Sequence, residues 1–176
     1  AIGRRRGGAE TRTEVISDAS TAMNLLLRLF CLLLSTWLRP RRSPLQQSRV
    51  SFRVWPHDLG WRDHLPNYRF FSFLELGRFA LWHASRLPFS GRYHTRMIAA
   101  QELVYLRPIR PFSAFECDTR LLGWDHKYCY YLHEVHCAGQ LVAVGLVKEA
   151  CLRRGRVVAP QTVLQLPPQS APVLVL

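Results

Sequence analysis

With 176 residues, the chain is long enough for one domain with a hydrophobic core of its own. Its hydrophobic content of 48% and aromatic content of 11% argue against an intrinsically disordered chain. The formal net charge of +12 comes almost entirely from arginine, because Lys127 and Lys148 are the only lysines. So basic a surface favours a polyanion, but charge alone does not choose among nucleic acid, an anionic membrane face and a phosphate-bearing small molecule.

The five cysteines are odd in number and form no C-x-x-C pair. This pattern argues against a disulfide framework and favours reduced thiols in a cytoplasmic setting. Cys129, His133 and Cys137 are residue types that bind metals, but on one strand they span too great a length to share an ion. We therefore expect buried cysteines at these positions, with neither a metal nor a cofactor.

Residues 1–22 contain Arg4-Arg5-Arg6 and two adjacent glycines but no apolar periodicity, which predicts a disordered or non-native extension outside the fold. Residues 23–44 form a separate apolar segment with a basic linker. Its unbroken run from Leu29 to Leu38 is ten residues long, short of the roughly 20 needed to cross a bilayer. Basic residues follow the run, so residues 23–42 suit a helix that contacts the inner face of a membrane. A helix packed on its own domain or on a partner subunit is an equal alternative.

The segment from Arg49 to Trp55 alternates apolar and polar residues, which predicts a half-buried strand. A long helix follows, starting near Asn67 and Tyr68 and extending toward Leu87; it is apolar around most of its circumference and therefore expected to be buried. Four long strands complete the predicted domain: Tyr93–Arg107, Phe112–Trp124, Lys127–Ala138 and Leu141–Arg153. The tail beyond Pro160 is proline-rich and is predicted to be extended or loose.

Consecutive hairpins make an antiparallel sheet, and a single buried helix needs that sheet curled around it. The sequence therefore predicts an α+β fold with a curved antiparallel sheet wrapped around one long central helix. We assign this domain to residues 45–160 and the tail to residues 161–176.

A polar turn precedes the long helix and resembles a known family pattern. It contains Asp58, Gly60, His64 and Asn67 in the order D-x-[DG]-x-x-x-H-x-x-N, and Glu75 and Arg78 follow inside the helix. Together with Tyr105-Leu106-Arg107-Pro108, this order resembles the hotdog-fold thioesterases of the 4-hydroxybenzoyl-CoA thioesterase type. Leu121-Leu122-Gly123-Trp124-Asp125 is similar to a hairpin of a thioesterase-like branch of that family. The resemblance covers roughly residues 49–153.

The resemblance implies hydrolysis of an acyl-CoA by a homodimer or a tetramer of dimers. Thioester hydrolysis needs a carboxylate that activates water or attacks directly, together with donors for the developing oxyanion. Asp58 is the candidate carboxylate, and Asp63 is its rival in the same turn. The first amides of the helix, near Asn67 and Tyr68, are the candidate donors.

Each further candidate has a structural alternative. His64 either orients the substrate or hydrogen-bonds Asp58, and Asn67 either positions water or caps the helix. Glu75 is a second candidate carboxylate, which the family places near the site and in some branches across the dimer interface. An i, i+3 ion pair with Arg78 also explains it. Arg107 and Arg110 are candidate partners of the CoA phosphates, and Tyr68 is a third candidate substrate-binding residue.

Two positions depart from the family pattern. Gly60 occupies the place of a second acid when the motif is aligned without a gap, and Pro66 replaces the first of two asparagines. A non-catalytic acyl-thioester-binding or membrane-associated protein is therefore the alternative function. Nucleic acid is not expected as a partner, because the basic residues are dispersed and no aromatic-basic motif is present. We expect a cytoplasmic protein, with the inner face of a membrane as its point of attachment if the apolar segment binds lipid.

Overall fold

A computed structural model describes residues 25–38, 40–87 and 94–164, with only the backbone described at His94. The first helix, α1, spans 25–37. The remaining elements, in chain order, are β1 Ser48–Arg53, α2 Pro56–Leu59, α3 Asn67–Ala84, β2 His94–Tyr105, β3 Ala114–Trp124, β4 Tyr128–Cys137, β5 Gln140–Arg153, β6 Arg156–Val158 and α4 Pro160–Leu164. The predicted extension 1–22 and residues 165–176 of the tail lie outside the described residues.

The long helix α3 is buried on most of its sides, as its sequence predicts. Ten of its 18 residues are buried, including Phe70, Phe73 and Leu81. Gly77 lies against β3 so closely that a Cβ built on it would come within 2.5 Å of the Thr119 hydroxyl oxygen. A larger residue here would push the helix away from the sheet, so Gly77 sets how deeply α3 sits in the core.

The sheet is antiparallel throughout and follows the order β1-β3-β4-β5-β2, with β6 paired to the end of β5. The turn between β4 and β5 has positive φ at both Ala138 and Gly139, which is the two-residue hairpin turn whose twist matches the strands. Strand order and the enclosed helix confirm the predicted α+β hotdog fold. β1 and β2 lie at the two edges of the path.

Two apolar clusters pack around different parts of α3. In the first cluster, residues of β1, β3 and α1 surround the first half of the helix, where Phe73 of α3 packs against Phe115 of β3. The other surrounds its second half, where Trp82 donates from Nε1 to the Tyr131 hydroxyl at 2.8 Å. The short helix α4 contributes Val163 to this second cluster, so the start of the predicted loose tail is helical and packed.

A buried ionic cluster lies between α3 and the sheet. Arg78 donates from Nε to Glu149 Oε2 at 3.0 Å, and Arg96 donates from Nη1 to Glu149 Oε1 at 3.1 Å. His133, fully buried, lies 3.3 Å from Arg78 and 3.0 Å from the Thr119 hydroxyl. The predicted pairing of Glu75 with Arg78 is therefore wrong. Because burying Arg78 without a partner carboxylate would be costly, it pairs with the buried Glu149 rather than with the exposed Glu75.

The apolar segment at the N-terminal end forms α1, whose inner face packs on the domain. Leu32 is buried in the first apolar cluster, and Leu25, Leu29 and Leu33 pack at its edge. Within the described ranges, no helix is both long enough and apolar enough to span a membrane.

Candidate active site at the start of helix α3

The first turn of α3 presents backbone amides that no residue caps. Pro66 is the N-cap and makes no side-chain cap hydrogen bond, and Asn67 is the first helical residue. The suggested capping role of Asn67 is therefore wrong, because its side chain lies one position too late. The Arg69 amide donates to the Pro66 carbonyl at 3.0 Å. Among the described residues, the Asn67 and Tyr68 amides have no acceptor, so they remain available at the positive end of the helix dipole.

A hollow of about 200 Å³ opens at the start of α3, where Asn67 forms part of its lining. Its lining includes three of the predicted site residues, His64, Asn67 and Arg107. Tyr105 fixes this corner, because its hydroxyl donates to the Asn67 carbonyl at 3.0 Å and its ring contacts Phe70 edge-on at 5.2 Å. Burial raises the pKa of Tyr105, so the hydroxyl keeps the proton that it donates.

Asp58 lies in the short helix α2 and is fully buried. Its Oδ2 accepts from Arg28 Nη2 at 2.7 Å and from the Trp55 amide at 2.9 Å. Its Oδ1 accepts from Arg69 Nη2 at 2.8 Å. Both carboxylate oxygens are therefore occupied, and the side chain ties α1, α2 and the start of α3 together. The role of Asp58 as the reacting carboxylate stays a prediction that this geometry does not favour.

His64 pairs with its sequence neighbour rather than with Asp58. Its Nδ1 lies 2.7 Å from Asp63 Oδ1, and this hydrogen bond holds the pKa of Asp63 below its usual range. The suggested hydrogen bond between His64 and Asp58 is wrong, since Asp58 points inward to the two arginines. The Asp63 side chain is 96% exposed, so it remains accessible to solvent.

Gly60 has a backbone conformation that favours glycine, with φ 60° and ψ −117°. A Cβ built at this position would lie 3.7 Å from the Tyr68 hydroxyl, so the position faces the exposed ring at the start of α3. Space is available for a side chain here, but the backbone would be strained by one. The conformation of this turn therefore favours glycine over an acidic residue at position 60.

The remaining predicted residues do not line the hollow. Glu75 and Tyr68 are exposed on α3, seven residues apart and thus on one face of the helix. Eight residues separate Glu75 from Asn67, which corresponds to about 12 Å along the helix axis. Arg110 is also exposed. Arg107, which does line the hollow, donates to the Gln140 side chain at 2.9 Å.

Sequence reasoning missed the residues that hold this site in place. Arg28 and Arg69 are the partners of Asp58, and the signal for both was an arginine inside a largely apolar helical pattern. Tyr105 was recognised only as part of a motif. No group of three or more His, Cys, Asp or Glu side chains in the described part of the chain is arranged to hold a metal ion.

The sequence of this chain matches a known family over most of its length. The model of the thioesterase-like superfamily matches residues 54–168, which include α3 and the whole sheet after β1. The chain belongs to the thioesterase-like superfamily. This result confirms the family resemblance drawn from the turn before α3 and from the hairpin at Trp124.

Curated relatives and solved structures agree with this assignment. The chain is 28% identical to Protein THEM6 of Danio rerio over 133 residues, covering 72% of this chain and 62% of the relative. It is 33% identical to Protein THEM6 of Xenopus laevis over 90 residues, covering 49% and 42%. The chain thus spans less than two thirds of the length of either relative.

The solved structures show the fold. A hypothetical protein from Thermus thermophilus aligns with a TM-score of 0.63 at 19% identity, covering 67% of this chain and 95% of its own. A DHNA-CoA thioesterase from Staphylococcus aureus aligns with a TM-score of 0.59 at 13% identity, covering 66% and 82%.

Proposed function

We propose that this chain is an acyl-CoA thioesterase whose substrate carbonyl binds at the start of α3. The observation that carries the proposal is the pair of free amides at Asn67 and Tyr68 at the start of α3, where Asn67 lines a hollow together with His64 and Arg107. Such amides stabilise the oxyanion that forms when water or a carboxylate attacks a thioester. Membership of the thioesterase-like superfamily and a structural neighbour described as a CoA thioesterase support this chemistry.

Two carboxylates are candidates for the reacting group. Asp58 would act only after Arg28 or Arg69 releases one of its oxygens, because both are occupied. Glu75 is exposed, but it lies about 12 Å along α3 from the amides of its own chain. Glu75 therefore requires the amides of a second copy, which makes a dimer part of this version of the mechanism.

The free edge of the sheet supports dimerisation through β2. One side of β2 pairs with β5, and no described strand pairs with the other side. Exposed apolar residues lie along this strand, among them Met97, which is 54% exposed, and Val104, which is 50% exposed. Because an unpaired apolar edge invites another strand, we propose a homodimer formed by β2 edges, with a tetramer of such dimers as a further assembly.

Arginines near the hollow supply positive charge for the phosphates of CoA. Arg107 lines the hollow, and Arg110 is exposed three residues further on. Both guanidinium groups lack a carboxylate partner among the described residues. We propose that they bind CoA phosphates, for which the planar donor geometry of arginine is well suited.

The outward face of α1 favours contact with a membrane surface. Its exposed apolar residues are Leu26, Leu27, Phe30, Leu34, Trp37 and Leu38. The inward face is packed on the domain, so a partner for the outward face must come from outside the described residues. We propose that α1 lies in the plane of an anionic membrane at its cytoplasmic face, with Arg41 and Arg42 near the headgroups.

Vesicle sedimentation tests this attachment. The full chain should sediment with vesicles of phosphatidylcholine and phosphatidylserine, and Phe30→Gln combined with Leu34→Gln should reduce the bound fraction. Val157→Gln is the matched control, because Val157 is an exposed apolar residue on β6. Equal binding by all three proteins would contradict a role of α1.

A specific observation also favours the second candidate function, a non-catalytic acyl-thioester-binding protein. The carboxylate of Asp58 is fully buried and accepts hydrogen bonds at both oxygens, and Gly60 provides no acid beside the start of α3. The site would then bind a thioester at the free amides without activating water.

One assay separates the two functions. The full chain is offered a panel of alkyl and aryl acyl-CoAs; release of the CoA thiol and binding of a non-hydrolysable thioether analogue are measured in parallel. Thiol release supports the thioesterase. Binding of the analogue without thiol release supports the binding protein, and an absence of both rejects the proposed site.

A further inference from the structure

A cleft of about 570 Å³ lies between α1, β1 and the second half of α3. This volume falls within the roughly 300–1,000 Å³ typical of small-molecule sites. Ala80 and Ala84 line it from α3, one turn apart, and their small side chains leave the space open. Ala80 is 13 residues from Asn67, or about 20 Å along the helix axis, so this end of the cleft lies well away from the hollow at the start of α3.

The cleft has an apolar floor, and the charged residues in its walls are all positive. Val50 and Phe52 of β1 and Leu32 of α1 contribute apolar surface. Four arginines and no aspartate or glutamate are found among the described residues that line it: Arg28, Arg42, Arg49 and Arg53. A ligand that fits these walls carries an apolar chain and an anionic group.

Not all of this positive charge is neutralised by the protein. Arg28 pairs with Asp58, and Arg49 pairs with Asp118. Within the described ranges, the Arg53 guanidinium donates only to the Phe112 carbonyl, and the Arg42 guanidinium has no hydrogen-bond partner. In addition, Nη1 of Arg28 is buried without a hydrogen-bond partner. An unsatisfied buried donor is costly, so an anion or its hydration water at this wall would be stabilising.

We propose that this cleft binds a single-chain amphipathic anion, with its carboxylate or phosphate at Arg42 and its acyl chain along Ala84 and Ala80 toward Phe52. Because α1 forms one wall, the ligand would bridge α1 to the rest of the domain. Free fatty acids and lysophospholipids with a terminal phosphate share this chemistry.

Cys31 provides a direct reporter of occupancy. It lines the cleft and is exposed, whereas Cys137 is half-buried and the other three cysteines are buried. The full chain is alkylated with iodoacetamide at about pH 8, where laurate is ionised. The rates at Cys31 and Cys137 are followed by peptide mass spectrometry, with laurate, dodecyl phosphate or uncharged dodecanol present below its micellar concentration.

We expect laurate or dodecyl phosphate, but not dodecanol, to slow alkylation of Cys31 at least tenfold while the rate at Cys137 is unchanged. The anion that slows alkylation of Cys31 more shows whether the site prefers a carboxylate or a phosphate. Arg42→Gln should weaken the apparent affinity by about tenfold or more. Arg156→Gln, at an exposed arginine on β6, is the matched control and should bind as the parent does.

Ala84→Leu tests whether the ligand occupies the cleft itself. Leucine favours a helix as alanine does, and its side chain would fill the space beside Ala80, so protection of Cys31 should be lost while thermal unfolding stays cooperative. Protection that survives in this variant would mean that the amphiphile coats the outer face of α1, and would overturn the proposal. Equal protection by dodecanol, or none by either anion, would also overturn it.

Discussion

Replacing Asp58 by alanine should destabilise the protein strongly, whatever the substitution does to activity. The fully buried carboxylate accepts from Arg69, whose side chain is 3% exposed, and from Arg28, whose side chain is 13% exposed. Removing one partner of a buried pair leaves an uncompensated charge and costs about 3–5 kcal/mol. Since a typical domain is stable by about 5–15 kcal/mol, Asp58→Ala should lose a large part of the free energy of unfolding.

Urea unfolding, followed by tryptophan fluorescence, measures this loss. Asp63→Ala is the matched control, because Asp63 lies in the same turn with its side chain 96% exposed, and it should change the free energy of unfolding by no more than about 0.5 kcal/mol. A triple variant with Arg28→Met, Asp58→Leu and Arg69→Met should regain most of the lost stability, because it removes all three charges of this network together.

Equal stabilities of Asp58→Ala and Asp63→Ala would refute this reasoning. The Asp58 carboxylate would then contribute little to folding and would be free for chemistry. If Asp58→Ala does destabilise the protein, loss of thioester hydrolysis in that variant cannot by itself assign a catalytic role to Asp58. Activity must then be compared at a temperature where both proteins are folded.

Three further predictions concern the fold. Gly77→Ala should destabilise by about 1–3 kcal/mol despite the better helix propensity of alanine, because its Cβ would meet Thr119; chemical denaturation measures it. Burial, reinforced by the nearby Arg78, lowers the pKa of His133 well below 6.5, so the unfolded state binds more protons below that pH. Stability should therefore fall on acidification, by up to about 1.4 kcal/mol per pH unit from this group, and less steeply in His133→Gln. Ala138→Gly should raise the melting temperature slightly, because Ala138 has φ 50° in the β4–β5 turn.

The sheet and α3 were predictable because their signals are local. Alternation of apolar residues identifies β1 and β3, and an apolar helix of this length requires a curled sheet around it. The bounds moved by only a few residues: β1 ends at Arg53 rather than at Trp55.

The pairing of charged side chains was not predictable, because it depends on contacts between distant elements. Asp58 and Arg28 are 30 residues apart, and Arg78 and Glu149 are 71 residues apart. Spacing within one helix favoured Glu75 as the partner of Arg78, but burial decided the pairing. The same limit applies to the site: its hollow forms only where Arg107 meets the first turn of α3.

The most direct test of the proposed thioesterase compares two substitutions at one residue. Asn67→Pro removes the backbone amide and is tolerated at the first helical position, whereas Asn67→Ala removes the side chain and keeps the amide. The measurement is the rate of CoA thiol release from the best acyl-CoA of the panel. If the amide stabilises the oxyanion, kcat should fall about 10²–10³-fold more in Asn67→Pro than in Asn67→Ala. Equal rates in the two folded variants would contradict the placement of the thioester carbonyl at the start of α3.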